Sequence, residues 1–103
     1  MVEHSIEYHP AARLEAIDAF DWYRGRSRGV AEHLQHELAR AQLDIQESPD
    51  RWAEYMYGTR RYLLKRFPIV VVYRMLAGRI QIVAIAHGRK KPGYWADRLK
   101  WPQ

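Results

Sequence analysis

Residues 60–87 read RRYLLKRFPIVVVYRMLAGRIQIVAIAH, three runs rich in β-branched and aromatic residues, separated first by Pro68 and then by the link Leu76-Ala77-Gly78. Val, Ile, Tyr and Phe suit the half-buried pleated surface of a strand, and a short link joins neighbouring strands antiparallel. The stretch predicts strands over RRYLLKRF, IVVVYRM and RIQIVAIAH in an antiparallel meander. In the last run, alternation places Ile80, Ile82, Ala84 and Ala86 on one face, against the rest of the protein. Arg79, Gln81, Val83, Ile85 and His87 then fall on the other, which is expected to stay partly open.

Upstream of this sheet the period changes. SIEYH, residues 5–9, alternates apolar and polar, and Pro10 then blocks a central strand while suiting the first turn of a helix. From about Ala11 to Arg24, Ala12, Ala16, Ala19 and Tyr23 form one stripe flanked by Ile17, Phe20 and Trp22, with Glu15, Asp18 and Asp21 filling the remainder. After the break RGRSRG, with Gly25 and Gly29, the residues Val30, Leu34, Leu38, Ala41 and Ile45 recur at helical spacing until Ser48-Pro49 ends the pattern. Trp52, Tyr55, Met56 and Tyr57 between the second helix and the sheet indicate a loop folded onto the body, serving either core or surface. The predicted fold is α+β: β-α-α-β-β-β with a two-helix hairpin packed on a small, mainly antiparallel sheet.

Composition narrows the class. A chain of 103 residues with 48% hydrophobic and 28% charged residues fits a single globular domain over residues 1–103. The absence of cysteine excludes disulfides, thiolate metal sites and cysteine nucleophiles, and makes a cytoplasmic home the simplest expectation. No stretch approaches the roughly 18 apolar residues of a membrane span, so no membrane association is expected. Charge is segregated along the chain: Met1–Thr59 holds 6 Lys+Arg against 11 Asp+Glu, a net −5, whereas Arg60–Gln103 holds 11 against the single Asp97, a net +10. The second portion is a cationic surface suited to an anion, whether phosphodiester backbone, acidic protein or anionic membrane.

The residues that could carry chemistry gather around AHGRKKPGYW, residues 86–95, where a strand ends in an imidazole and releases three cations, Pro-Gly and two aromatics. Metal-free cleavage of RNA needs a base for the 2′-hydroxyl, an acid for the departing 5′-oxygen and cations for the phosphorane. His87 and Tyr94 could move protons, Arg61, Arg74 and Arg89 could fork onto phosphate oxygens, and Tyr94 or Trp95 could stack on a splayed base. Each also has a plainer reading: a structural hydrogen-bonding histidine, edge arginines that keep the sheet soluble, and aromatics that cover the end of the core. His33 and His36 lie one helical turn apart, but no H-E-x-x-H arrangement completes a metal site, and none is expected. Neither a nucleophile motif nor a glycine-rich phosphate loop is present, so no cofactor is expected.

Taken with these features, the chain resembles the RelE/ParE superfamily, the toxins of type II toxin-antitoxin, or plasmid stabilisation, modules. The likeness rests on Trp22-Tyr23 late in the first helix, Pro49, Arg61-Tyr62, Phe67-Pro68 leading into Val71-Val72-Tyr73-Arg74, and above all AHGRKKPGYW. It implies growth inhibition held in check by a cognate antitoxin, in a toxin-antitoxin hetero-oligomer, and adds a short C-terminal helix to the fold. One branch of the superfamily cleaves mRNA on the ribosome; for that branch the carried-over candidates are Arg61, Arg74, His87, Arg89 and Tyr94. The chain departs from it in lacking a lysine pair on or just after the second helix. FPIVVVYR and HGRKKP are more similar to the ParE-like branch, which implies DNA gyrase as the target and Arg60, Lys65, Arg66, Lys90, Lys91 and Trp95 as target-binding residues. Charge segregation further predicts an antitoxin segment with acidic residues and an amphipathic helix.

Overall fold

The computed structural model describes residues 4–100. Chain order is β1 (Ser5–Tyr8), α1 (Pro10–Arg24), α2 (Arg28–Glu47), β2 (Ala53–Glu54), β3 (Arg60–Leu63), β4 (Ile69–Leu76) and β5 (Arg79–His87), with 3-10 turns at Met56–Gly58 and Ala96–Lys100. The strands form one five-stranded sheet in the order β1-β5-β4-β3-β2. Only β1 runs parallel to its neighbour, pairing Ser5 with Arg79 through Tyr8 with Ile82. The expected α+β architecture is the observed one; the fifth strand is the short β2, drawn from the aromatic loop.

Local chemistry sets the helix boundaries. His9 ends β1 by donating its backbone N–H to Ile82 O at 2.9 Å, then caps α1 by accepting the Ala11 N–H on Nδ1 at 3.0 Å. Burial and the nearby Arg98 and Arg74 cations hold the His9 imidazole below its ordinary pKa, which keeps it the neutral acceptor that a cap requires. Ser27 caps α2 through Val30 N–H. The buried face of α2 is Ala31, Leu34, Ala41 and Ile45, with Leu38 packed against the core; Val30, expected to begin that stripe, is 38% exposed.

Strand β3 is shorter than expected. The RRYLLKRF run leaves the sheet after Leu63 because Glu37 of α2 takes the next free amides, accepting Lys65 N–H at 2.9 Å and Arg66 N–H at 3.4 Å. Phe67 folds inward and is buried. At the other end of β4, Leu76 pairs with Arg79 across Ala77-Gly78, and Gly78 takes a φ of 71°, which glycine adopts without penalty.

The most consequential departure lies in β5. The ladder pairs Val72 with Ala84 but Tyr73 with Ile82, so Val83 is an extra residue in a β-bulge. One inserted residue reverses the alternation beyond it. Ile80, Ile82 and Ile85 therefore face the helices, together with Tyr73, Ile69, Leu34 and Ile45. Ala84 and Ala86, expected on that side, instead lie with Val83 and Val72 in a second core on the opposite face. Nor is that face open, because Trp95 is only 1% exposed beneath it and Tyr55, Met56, Tyr94 and Leu99 pack around.

Candidate functional site

The second core is closed by the segment after β5, and one carboxylate holds that segment down. Glu15 projects from α1 beside the edge of β5 that β1 leaves uncovered after Ile82. Its Oε1 accepts Ile85 N–H at 3.0 Å and Arg98 Nη1 at 2.8 Å, and its Oε2 accepts the Tyr94 hydroxyl at 2.6 Å and Arg98 Nη2 at 2.9 Å. Arg98 Nη1 also donates to Val83 O at 3.1 Å. Glu15 and Arg98 thus satisfy the strand amide and carbonyl that flank the bulge. Burial pushes the Glu15 carboxyl up, yet the hydrogen bonds from Arg98, Tyr94 and Ile85 outweigh it and hold the pKa below the ordinary glutamate value. Burial, reinforced by the same carboxylate, drives the Tyr94 phenol far above its usual range.

These contacts define what each predicted residue can do. Tyr94 is a proton donor already committed to Glu15, with its ring flanked by Lys90 Nζ at 5.3 Å and the Arg98 guanidinium at 5.2 Å. Arg74 is turned toward the C-terminal turn, donating Nε to Gln81 Oε1 at 2.7 Å and Nη1 to Leu99 O at 2.8 Å. Burial, with the Arg79 charge second, lowers its pKa. Arg60 donates to Trp52 O at 2.7 Å and fastens β3 to the loop before it. Trp95, expected to meet a target, is a core residue. Its indole fills the space that the bulge and the small side chains of Ala84 and Ala86 leave on the second face.

His87, Arg61 and Arg89 remain accessible to differing degrees. His87 pairs with Ile69 at the end of β5, and its Nδ1 accepts Arg89 N–H at 3.2 Å, which leaves Nε2 as the protonated nitrogen of the neutral ring. Arg61 pairs with Val72, three residues along β4 from Ile69 and on the far side of that strand. Two strand spacings and three residue rises separate its Cα from that of His87 by roughly 14 Å. Arg74 lies five residues along β4 from Ile69, roughly 17 Å away by the same spacings. His87 and Tyr94 line one small cleft with Lys90 and Lys91, whereas the Arg74 guanidinium is held at the C-terminal turn and the Arg61 guanidinium lies over the Tyr55 ring. Lys65, Arg66, Arg89, Lys90 and Lys91 are exposed.

The aromatic loop divides its duties. Trp52 packs edge-on to Tyr62 with centroids 4.5 Å apart, and Tyr55 lies in the second core beneath Arg61, whose guanidinium sits 4.9 Å above the ring. Tyr57 is 67% exposed and holds a φ of 60°. An open groove of about 840 Å³ runs between α2 and β3, lined by His33, His36, Arg40, Trp52, Leu63 and Arg66 among others. Among the described residues, no group of three or more His, Asp or Glu side chains is placed to hold a metal ion, and no helix is long and apolar enough to cross a membrane.

Sequence reasoning missed Glu15 and Arg98, the two residues that organise the end of the chain. They lie 83 residues apart, and Glu15 looks like any polar filler on a solvated helix face. The only local signal was a helix whose apolar stripe left room for a carboxylate beside the predicted strand end.

Comparison with known proteins follows the same architecture. A structure described as the chromosomal ParDE TA system from P. aeruginosa superposes with a TM-score of 0.73 at 19% sequence identity, covering 84% of this chain and 98% of that one. That likeness establishes the fold. Curated protein sequences include no match to the chain. Residues 6–92, from β1 to the proline after the basic run, match the profile of the ParE toxin of type II toxin-antitoxin system, parDE. The chain belongs to the ParE toxin family of type II toxin-antitoxin systems.

Proposed function

We propose that this chain arrests growth by binding DNA gyrase, without catalysing a reaction of its own, and that a cognate antitoxin neutralises it in the cytoplasm. The observation that carries the reading is that Tyr94 and Arg74, candidates for proton transfer and phosphate binding, are both engaged within the fold. The Tyr94 hydroxyl is bound to Glu15, and Arg74 is anchored in the C-terminal turn roughly 17 Å from His87. A ribonuclease needs proton-transfer and phosphate-binding groups within hydrogen-bond reach of one scissile bond. A binding toxin needs a rigid scaffold and an exposed charged surface, which membership of the ParE toxin family favours.

For the antitoxin, the supporting features are apolar and electrostatic. Leu14 and Ile17 of α1 are 60% and 49% exposed, and a groove of about 250 Å³ between the helices is lined by Ala16, Ile17, Phe20, Leu34, Gln35 and Leu38. An amphipathic antitoxin helix fits that groove, and acidic residues beside it meet the C-terminal cations. Reversing Lys90 and Lys91 to glutamate should weaken antitoxin binding; unchanged affinity overturns the electrostatic part.

The test of the target is expression of the chain alone in a bacterial host, reading plasmid supercoiling and message integrity in the same culture, with His87→Ala beside the wild type. Lost supercoiling with intact messages, and full toxicity in His87→Ala, is the expected result. Rapid message cleavage that falls about a hundredfold or more in His87→Ala would overturn the proposal in favour of a ribosome-dependent endoribonuclease.

A further inference from the structure

Three segments from distant parts of the sequence meet at one end of the molecule. The turn between α1 and α2 reaches the β3–β4 loop through Tyr23, whose ring stands edge-on to Phe67 with centroids 5.0 Å apart. The exit from β5 joins the same loop, because Gly88 N–H donates to Pro68 O at 2.7 Å. Residues 24–28 supply Arg24, Arg26 and Arg28. The loop adds Lys65 and Arg66, and the β5 exit adds Arg89, Lys90 and Lys91. All of these cations are exposed. The segments 24–28, 65–68 and 87–91 contain no Asp or Glu, and their one large hydrophobic residue, Phe67, is buried.

The folded charge distribution is thus sharper than the linear one. The first portion of the chain, net −5 as a whole, contributes three arginines to the cationic end. The nearby carboxylates do little to offset it. Asp21 approaches Arg24 at 3.7 Å in a pair exposed on both sides, and Glu37 accepts the backbone amides of Lys65 and Arg66. Glu32 stands one turn along α2 from Arg28 and is solvated.

We propose that this end is a docking surface for the sugar-phosphate backbone of duplex DNA, so that the toxin engages gyrase and its DNA together. The proposal rests on the gyrase reading for its biological setting only. Exposed cations spread over three loops suit the regular phosphates of a duplex, where each contact releases condensed counterions. A protein partner is normally held by an apolar or aromatic anchor sunk in a pocket, and an anionic membrane by an apolar wedge. The three segments themselves expose no large apolar side chain, and the neighbouring Trp22, 53% exposed, is covered on one face by the Arg26 guanidinium, 3.4 Å from the ring centroid, rather than set apart as an anchor.

The experiment is fluorescence anisotropy of the purified chain with a labelled duplex of mixed sequence over a potassium chloride series, without gyrase. Binding should weaken steeply with salt. The triple variant Arg89→Ala, Lys90→Ala, Lys91→Ala should flatten the log–log salt slope by up to about 3 units, about 0.9 for each phosphate left without its cation. The double variant Arg26→Ala, Arg28→Ala, some sixty residues away in sequence, should flatten it by up to about 2. Lys100→Ala, beside the C-terminal turn, should leave it unchanged, and thermal melts should show all variants folded. Salt-independent binding, no binding, or equal slopes in all variants overturns the proposal. So does displacement of the duplex by phosphatidylglycerol vesicles or polyglutamate at matched charge. Gyrase inhibition that survives in variants unable to bind DNA counts against the docking surface alone; DNA binding without gyrase inhibition counts against the gyrase reading alone.

Discussion

Replacing Glu15 with alanine tests whether one carboxylate fastens the C-terminal segment to the sheet. The change removes the acceptor of four hydrogen bonds, at 2.6 to 3.0 Å, and leaves the Arg98 guanidinium, the Tyr94 hydroxyl and the Ile85 amide to find other partners. The Glu15 and Arg98 side chains are 20% and 18% exposed, so water can reach part of the site. Stranding one member of a fully buried ion pair costs about 3–5 kcal/mol, and partial exposure puts this case near the lower bound, about 3 kcal/mol. At about 4–8 °C per kcal/mol for a domain near this size, the melting temperature should fall by at least about 12 °C. Glu15→Gln keeps the shape and one carbonyl acceptor and should cost less. The pH dependence has a definite sign. Because the folded pKa is depressed, the stabilisation is fully present above the ordinary glutamate value of 4.5 and is lost as pH falls through the lower folded value. Glu15→Ala should flatten that acid limb. Urea denaturation across pH 2 to 7, with hydrogen exchange at residues 92–99, measures both effects. A loss below about 1 kcal/mol, or unchanged exchange in that segment, refutes the reasoning, since an ordinary exposed salt bridge would do no more.

Other perturbations address the bulge, the turn before the C-terminal segment and the core. Deleting Val83 brings Ile82, Ala84 and Ile85 into unbroken alternation with each side chain on its present face; the variant should keep cooperative unfolding in thermal and urea melts, and loss of a native-like transition would show the bulge to be required. Gly93→Ala meets only ordinary contacts with Met56 and Tyr57 at 3.6 Å, but its φ of 84° disfavours any side chain, so a loss of about 1 kcal/mol in urea is expected. Tyr62→Phe removes a hydroxyl that donates to Asp44 Oδ2 at 2.6 Å and should cost about 1–2 kcal/mol. In the wild type the Tyr62 phenol, pushed up to about 12 by burial and by Asp44, should ionise later than a free tyrosine in an ultraviolet titration compared with that variant.

The sequence disclosed elements more readily than it disclosed faces. Helix period, the proline stops and β-branched runs are local signals, and they locate both helices and the three-stranded meander. The bulge at Val83 has no such signal, because valine is an ordinary strand residue and the insertion is defined only by the partner strand. Strict alternation consequently puts Ala84 and Ala86 on the wrong face and makes a second core look like an open surface. The same limit governs the site. The cationic run at 89–91 is contiguous and visible, whereas Glu15–Arg98 and the approach of the α1 end and the β5 exit to the same β3–β4 loop depend on chain reversals far apart in sequence.

Seen in the fold, AHGRKKPGYW is two devices joined at Pro92. From Gly88 to Lys91 the chain is exposed, cationic and free of large apolar side chains. From Gly93, whose positive φ turns the chain back, it supplies Tyr94 to Glu15 and Trp95 to the second core. Burial of an indole of about 200 Å² contributes gross stabilisation of roughly 5 kcal/mol. That anchor immediately follows the most highly charged loop of the chain. The arrangement is physically economical: close-set like charges repel and would splay a loose tail, but anchored at β5 on one side and at Trp95 on the other they are held out toward a partner. The aromatic pair that looked like part of a binding site thus acts one step behind it, fixing the position of the cations that face the solvent.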